Sequence, residues 1–220
     1  LVVDNCMKIS EIKTHISKNA SSLNIKKWDF GASFSNDYSV QVDKGEAKQL
    51  KASQKQIMTL RVWNNQNLVG VSTTSDLSEE GLLKALNQAS IASNYGNDNE
   101  LTDFSPLAKE PIGNYHSQEN TPSGISKLLK ILRIAEENLL KTNKAIKSIP
   151  YNGLSESFFK RIYANSDGAF RSYENSQAAL YLYARAEEDN KKPRSSGSVK
   201  LGFVVDDIDI KECISEASDK

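Results

Sequence analysis

The fold class follows from residues 28–34, WDFGASF, in which apolar side chains alternate with polar or small ones. Residues 38–42, YSVQV, repeat this alternation. A period of two is typical of antiparallel strands that bury one face. Asn36-Asp37 and Lys44-Gly45 supply turn-forming residues on either side of the second run. This region therefore predicts antiparallel strands joined by tight turns.

The same reading extends to both sides of this region. Downstream, residues 48–53 predict a polar strand, and residues 57–63 predict a strand with more apolar side chains. Residues 64–67 predict a turn, and residues 68–74 predict the strand that closes this set. Upstream, Ile9, Ile12 and Ile16 have helical spacing. A second helix has the apolar stripe Leu82, Leu83, Leu86 and Ala89, and we expect it to end near residue 94 or 96. Either Asp76 or Ser78 can cap it, and the sequence leaves both alternatives open.

Residues 121–220 predict a second set of elements in a similar order. Thr121-Pro122 is a favourable helix start, and the apolar spacing continues to about Lys144. Strands are predicted at 157–164, 169–175, 178–186 and 199–205, with an NSDG turn at 165–168 and an exposed loop at 191–197. A last helix is predicted at 208–217.

The order helix, strands, helix therefore occurs twice, which predicts an internal duplication. Strands grouped between helices favour an α+β fold with antiparallel strands and flanking helices. We expect a first half at residues 1–96, a connector at 97–120 and a second half at 121–220. The connector contains Pro106, Pro111 and Gly113. We also expect further residues before Leu1 and beyond Lys220.

Composition excludes several classes of protein. The 28 basic and 28 acidic residues give a net charge of zero, which provides no overall field to hold a polyanion. Two cysteines, Cys6 and Cys213, do not make a disulfide framework. The sequence has no apolar run of membrane-spanning length and no signal peptide. We therefore expect a soluble, cytoplasmic protein that does not bind membranes and has no dedicated DNA-binding role.

Catalytic and metal-binding motifs are absent from the sequence. The two histidines, His15 and His116, are far apart and neither belongs to an HExxH or HExxxH pattern. His15 is expected to be a solvated helix residue, and Cys213 a buried, inert thiol. No GxSxG elbow or phosphate-binding glycine loop occurs. We therefore predict no catalytic, cofactor-binding or metal-binding residue in this chain, and no cofactor.

Four clusters have both a structural and a functional interpretation. The acidic residues at 187–189 and at 206–209 are expected to be a solvated strand exit and a favourable helix N-terminus. The basic residues at 191–194 are expected to be solvated. Tyr181, Tyr183 and Arg185 project from one strand face and form a candidate docking surface, although we weight covering by the flanking helices higher. Edge strands are candidates for pairing with an extended peptide.

Three stretches carry a family resemblance. Residues 38–46, YSVQVDKGE, resemble the opening strand and turn of the TldD/PmbA family. Residues 60–63, LRVW, followed by 69–78, VGVSTTSDLS, are similar to the family's arginine strand, its glycine-serine strand and its entry into a helix. Residues 162–168, IYANSDG, resemble the family's strand that ends in Asn-Ser-x-Gly. The acidic exit at 187–189 is similar to that of PmbA-like members.

The resemblance implies the amino-terminal domain of a PmbA-like protein, without the family's carboxy-terminal domain. It also implies that the HExxxH zinc motif of TldD-like members lies beyond residue 220, so that zinc belongs to a TldD-like partner or to a missing domain. We therefore expect a scaffold and substrate-admitting domain of a metallopeptidase assembly acting on unfolded peptides, as a homodimer or with a TldD-like subunit. The alternative is a non-enzymatic protein that modulates DNA gyrase or another partner.

Overall fold

The computed structural model describes residues 9–96, 103–110 and 121–219. Within them, helices and strands follow one another in the order α1 Ile9–Ser22, β1 Lys27–Asp43, β2 Glu46–Trp63, β3 Val69–Thr74, α2 Glu79–Ser93, α3 Ile125–Thr142, β4 Ile146–Asn165, β5 Phe170–Ala186, β6 Arg194–Gly202 and α4 Ile210–Ser218. Short 3-10 helices occupy Pro106–Lys109 and Val205–Asp207. The strands form one antiparallel sheet in the order β3-β2-β1-β4-β5-β6. The predicted α+β class and the repeated helix–strands–helix order are confirmed.

Several predicted boundaries are wrong, chiefly because the strands are longer than their sequence patterns. The predicted turn at Asn36-Asp37 lies inside β1, where Asp37 accepts hydrogen bonds from Ser35 and Ser53 instead of turning the chain. The predicted strands at 48–53 and 57–63 are both part of β2, and 169–175 and 178–186 are both part of β5. Part of the predicted loop at 191–197 belongs to β6.

The helix starts show which capping signals act. Ser78 caps α2 by accepting a hydrogen bond from the Gly81 amide, while Asp76 forms a turn by accepting from the Ser78 amide. This resolves the two alternatives in favour of Ser78. The predicted start of α3 at Thr121-Pro122 is wrong, because the helix begins at Ile125 after Gly124, whose φ is 79°. That conformation suits glycine.

The described residues form two compact units, each with its own core. Unit 1 comprises described residues within 1–34, 55–116 and 160–173. In its core, apolar residues of α1 and α2 pack on alternating residues of β1, β2 and β4. The largest fully buried side chains there are Ile12, Ile16, Phe30, Met58, Leu60, Leu82 and Leu86. The buried Trp28, Phe30 and Ala32 confirm that residues 28–34 bury one face.

Unit 2 comprises described residues within 35–54, 117–159 and 174–220. Apolar residues of α3 and α4 pack in its core on alternating residues of β1, β4 and β5. Its largest fully buried side chains are Leu128, Leu132, Leu139, Leu154 and Leu180. The bounds 1–96, 97–120 and 121–220 stay a prediction about domain organisation. Among the described residues, no helix has the length and apolarity needed to cross a bilayer.

Candidate functional site

The tyrosines of β5 lie on the face of the strand that the helices leave uncovered. Leu180, Leu182 and Ala184 point into the core formed with α3 and α4, so Tyr181, Tyr183 and Arg185 point to the opposite face. Tyr183 is 41% exposed. The more heavily weighted interpretation, in which the flanking helices cover these tyrosines, is therefore wrong.

Strand β6 extends this face with apolar side chains. Val199 lies opposite Tyr181 and Leu201 lies opposite Ala179, so both point to the same side as the tyrosines. Val199 is 52% exposed and Leu201 is 64% exposed. We call Tyr181, Tyr183, Val199 and Leu201 the tyrosine face. Because β6 ends the strand order of the described residues, this apolar surface adjoins a free strand edge.

Two glycines make room for the tyrosine rings. A Cβ atom on Gly153 would lie 2.5 Å from the ring of Tyr181, and one on Gly197 would lie 2.3 Å from the ring of Tyr183. The hydroxyl of Tyr181 also accepts a hydrogen bond of 2.8 Å from Nε2 of Gln41. The rings therefore rest against backbone, which holds them in place on the open side of the sheet.

Unit 1 contains a buried ion pair that sequence reasoning did not single out. Asp29 is only 2% exposed and accepts hydrogen bonds from Nε and Nη2 of Arg61, at 2.9 and 2.5 Å. The hydroxyl of Tyr163 donates to the same carboxylate at 3.2 Å. The hydrogen bond to Asp29 raises the pKa of Arg61, while burial and the Asp29 charge raise the pKa of Tyr163. Through these hydrogen bonds the buried carboxylate of β1 is satisfied by donors from β2 and β4.

Residues 103–110, which we call the strap, bind to unit 1 at both ends. At one end Lys27 pairs with Asp103 at 2.8 Å, and the ring of Phe104 packs edge-on against Trp63 with centroids 5.1 Å apart. At the other end Lys109 pairs with Asp167 at 2.7 Å. Residues 97–102 and 111–120 of the predicted connector lie outside the described residues.

Two further buried carboxylates hold backbone amides of unit 2. Glu136 of α3 accepts from the Lys44 and Gly45 amides at 3.2 and 2.7 Å, and so caps the turn between β1 and β2. Glu156 of β4 accepts from the amide and hydroxyl of Ser123 and from the amide of Val205. Both carboxylates are satisfied by structural partners, which assigns them a role in the fold.

The residues tested for metal binding do not converge on a zinc site. Nδ1 of His15 lies 3.1 Å from Oε1 of Glu79, so this half-buried histidine is paired with the first turn of α2 and is not simply solvated. His116 and Cys6 lie outside the described residues. Within the described ranges, no group of three or more His, Cys, Asp or Glu side chains could hold a metal ion.

The remaining candidates have structural roles. Cys213 is fully buried in the core, as predicted, and burial raises the pKa of its thiol. Asp209 caps α4 by accepting from the Glu212 amide, which confirms the favourable helix N-terminus predicted for residues 206–209. In the other acidic cluster, Glu187 pairs with Arg185 and Glu188 pairs with Lys191.

Comparisons with known proteins agree with this architecture. Residues 28–93 match the family model described as PmbA/TldA metallopeptidase domain 1, and residues 119–220 match the PmbA/TldA metallopeptidase central domain. The first range contains the stretches at 38–46, 60–63 and 69–78, and the second contains the stretch at 162–168.

Three solved structures share the fold at low identity. A proposed modulator of DNA gyrase from Thermotoga maritima has a TM-score of 0.75 at 16% identity, over 96% of this chain and 47% of its own. TldE from Thermococcus kodakarensis has a TM-score of 0.75 at 14% identity, over 95% and 46%. A second proposed gyrase modulator, from Bacteroides thetaiotaomicron, has a TM-score of 0.75 at 10% identity, over 96% and 49%.

This chain thus spans about half the length of the solved structures that it resembles. Their identities are low enough that the likeness establishes the fold alone. The family models are more specific, because two successive domains of one family match in the expected order over most of the sequence. On this evidence, the chain belongs to the PmbA/TldD family.

Proposed function

We propose that this chain is a scaffold and substrate-admitting domain of a TldD/PmbA-type metallopeptidase assembly that acts on unfolded peptides. The observation that carries the proposal is the tyrosine face beside the free edge of β6. An unpaired strand edge offers amide and carbonyl groups to any extended chain, whatever its sequence. Exposed apolar side chains next to that edge would contact every second side chain of such a peptide and favour apolar residues there. Chemistry is assigned to residues outside this chain.

The proposed assembly pairs this protein with itself or with a TldD-like subunit, and zinc belongs to that partner or to a further domain. Membership of a metallopeptidase family and the structural likeness to TldE support this arrangement. The cytoplasm is the proposed compartment. It agrees with the low cysteine content, two in the sequence, since disulfides are rare in reducing compartments.

The test is peptide cleavage by the full-length protein together with its TldD-like subunit. Replacing both Val199 and Leu201 by Lys removes the apolar surface beside the β6 edge. We expect KM for an unstructured peptide to rise about tenfold with little change in kcat, because binding is lost equally from the ground and transition states. Ile134→Lys is the matched control, since Ile134 is a 48% exposed apolar residue on α3.

Two results would contradict the proposal. One is an unchanged KM in the double variant, and the other is peptide hydrolysis by the isolated 220-residue chain in the presence of a chelator. The second candidate function is non-enzymatic modulation of DNA gyrase, which the names of two similar structures suggest. It predicts stable association with purified gyrase in the absence of any TldD-like subunit.

A further inference from the structure

Four polar residues of β6 share the face that is turned toward the helices. Arg194, Ser196, Ser198 and Lys200 lie opposite residues 186, 184, 182 and 180 of β5. Directly opposed residues of an antiparallel pair point to the same face, and on β5 this is the face covered by the helices. Polar side chains on such a face need partners, because burial without a hydrogen bond is destabilising.

The second half of this row binds a carboxylate supplied by α4. The hydroxyl of Ser198 donates to Oε2 of Glu216 at 2.5 Å, and Nζ of Lys200 donates to Oε1 of the same residue at 2.8 Å. Lys200 also lies 2.7 Å from Glu212. A hydroxyl and a cation two residues apart on one strand face therefore hold the two oxygens of a single carboxylate.

The first half contains the same two kinds of group in the reverse order along the strand. Ser196 and Arg194 are again a hydroxyl and a cation two residues apart on the same face. The Oγ atom of Ser196 is shielded from solvent and has no hydrogen-bond partner among the described residues. Arg194 is exposed, and its charge, after that of Lys191, helps to lower the pKa of Glu188. The Ser196 hydroxyl therefore lacks the carboxylate partner that Ser198 has in Glu216.

A cavity of about 300 Å³ lies at the incomplete pair. Arg194 and Ser196 line it, and three cations (Lys191, Lys192 and Arg194) outnumber its one carboxylate, Glu188. Its apolar walls are Ile146, Ala184, Ala186 and Ala217. The alanines leave space that larger side chains would fill. This volume is at the lower end of the range for small-molecule sites.

We propose that Arg194 and Ser196 bind the carboxylate of a small ligand with a short aliphatic body. The carboxylate would take the position that Glu216 occupies for Ser198 and Lys200, and the aliphatic part would lie against the alanine walls. Ser218, in the last turn of α4, also lines the cavity. The C-terminal end of a helix carries partial negative charge, so a single carboxylate fits this cavity better than a phosphate dianion.

The test is a titration of the full 220-residue chain followed by ¹H–¹⁵N NMR of the amides of residues 184, 186 and 196. The probes are propionate, acetyl-Ala-Ala with a free carboxylate, the same dipeptide as its amide, and inorganic phosphate. We expect saturable shifts with one or both carboxylates, and weak or no shifts with the amide and phosphate. Binding of propionate alone indicates a free small acid as the natural ligand, whereas binding of the dipeptide acid indicates a peptide terminus.

Two variants separate binding from folding. Arg194→Gln should weaken carboxylate binding about tenfold, the effect of one hydrogen bond to a charged group. Ser196→Ala should also weaken it while leaving the thermal midpoint unchanged or higher, because the hydroxyl has no partner in the free protein. Lys211→Gln, at an exposed position on α4, is the control and should bind normally. Absence of any saturable carboxylate shift, or undiminished affinity in Arg194→Gln, overturns the proposal.

Discussion

The buried carboxylates of Asp29, Glu136 and Glu156 are satisfied by donors that lie far away in the sequence. Asp29 accepts from Arg61, which is 32 residues later, and Glu136 accepts from Gly45, which is 91 residues earlier. A buried charge is tolerated only when such donors surround it. None of these partnerships has a signature in local spacing, so sequence reasoning identified Arg61 only through a family resemblance and missed the carboxylates entirely.

Replacing Asp29 by Ala should lower the free energy of unfolding by about 3 kcal/mol, because it leaves the half-buried guanidinium of Arg61 without its counter-charge. Urea denaturation monitored by circular dichroism measures the change. Asp43→Ala is the control, since Asp43 lies exposed on the same strand, and its effect should stay within about 0.5 kcal/mol. Equal effects of the two substitutions would show that the ion pair does not stabilise unit 1.

At the scale of helices and strands, the long strands show which turns can be predicted from the sequence. The turn at Lys44-Gly45 is predictable because both residues adopt positive φ, at 54° and 78°, and glycine favours this conformation. The turn predicted at Asn36-Asp37 fails because this stretch belongs to the long strand β1, where Asp37 accepts a cross-strand hydrogen bond from Ser53. Pairing along a sheet thus overrides local turn propensity.

Strand β6 shows a different failure. The sequence predicts a strand at 199–205, whereas β6 is Arg194–Gly202, and its inner face is also unexpected. Val199 and Leu201 are its most apolar residues, and a simple reading of period two would bury them. The register instead turns Ser198 and Lys200 toward the helices, because Glu216 on α4 supplies the matching carboxylate. The exposed face therefore depends on a charge that is 16 residues away from Lys200.

The Asp103 end of the strap should detach at low pH. The hydrogen bond from Lys27, with that from the Phe104 amide, lowers the pKa of Asp103 below its usual value near 4. The ionised carboxylate therefore favours the bound strap above that usual pKa, and the contact is lost as the pH falls through the lowered one. We expect the ¹⁹F NMR signal of 5-fluorotryptophan at Trp63 to shift in this range, because the Phe104 ring packs against it.

Asp103→Asn provides the control for this titration, because an amide does not ionise. The Trp63 signal of the variant should not change over the same range, while circular dichroism confirms that both proteins remain folded. High salt should move the wild-type signal in the same direction as acid, since exposed ion pairs are screened. A Trp63 signal that titrates identically in Asp103→Asn would rule out Asp103 as the controlling group.

The charge balance of the entire chain bears on the two candidate functions. Equal numbers of basic and acidic residues give no net attraction for a polyanion. A direct action on DNA would require a basic surface to neutralise phosphates. The peptide-binding proposal needs no such surface, because strand edges recognise main-chain groups.

We therefore expect the 220-residue chain to show no saturable binding to duplex DNA up to about 100 μM at physiological salt, which is weaker than typical non-specific DNA binders. Fluorescence anisotropy with a labelled duplex measures this. A positive control is any basic DNA-binding domain at the same salt concentration. Tight binding that weakens steeply as salt is added would contradict the expectation and favour the gyrase-related function.

The contact between Glu136 and the turn at Gly45 has a consequence for synthesis of the protein. Val40 and Val42 belong to the same core as Leu132 and Leu180, so unit 2 joins an early stretch of chain to a late one. During synthesis on the ribosome, the amides at the tip of the first hairpin have no carboxylate partner until the helix that carries Glu136 has emerged. Such distant pairings delay folding and leave partly formed sheet exposed meanwhile. The nascent chain would then be vulnerable to misassembly while at least the 91 residues from Gly45 to Glu136 are being added.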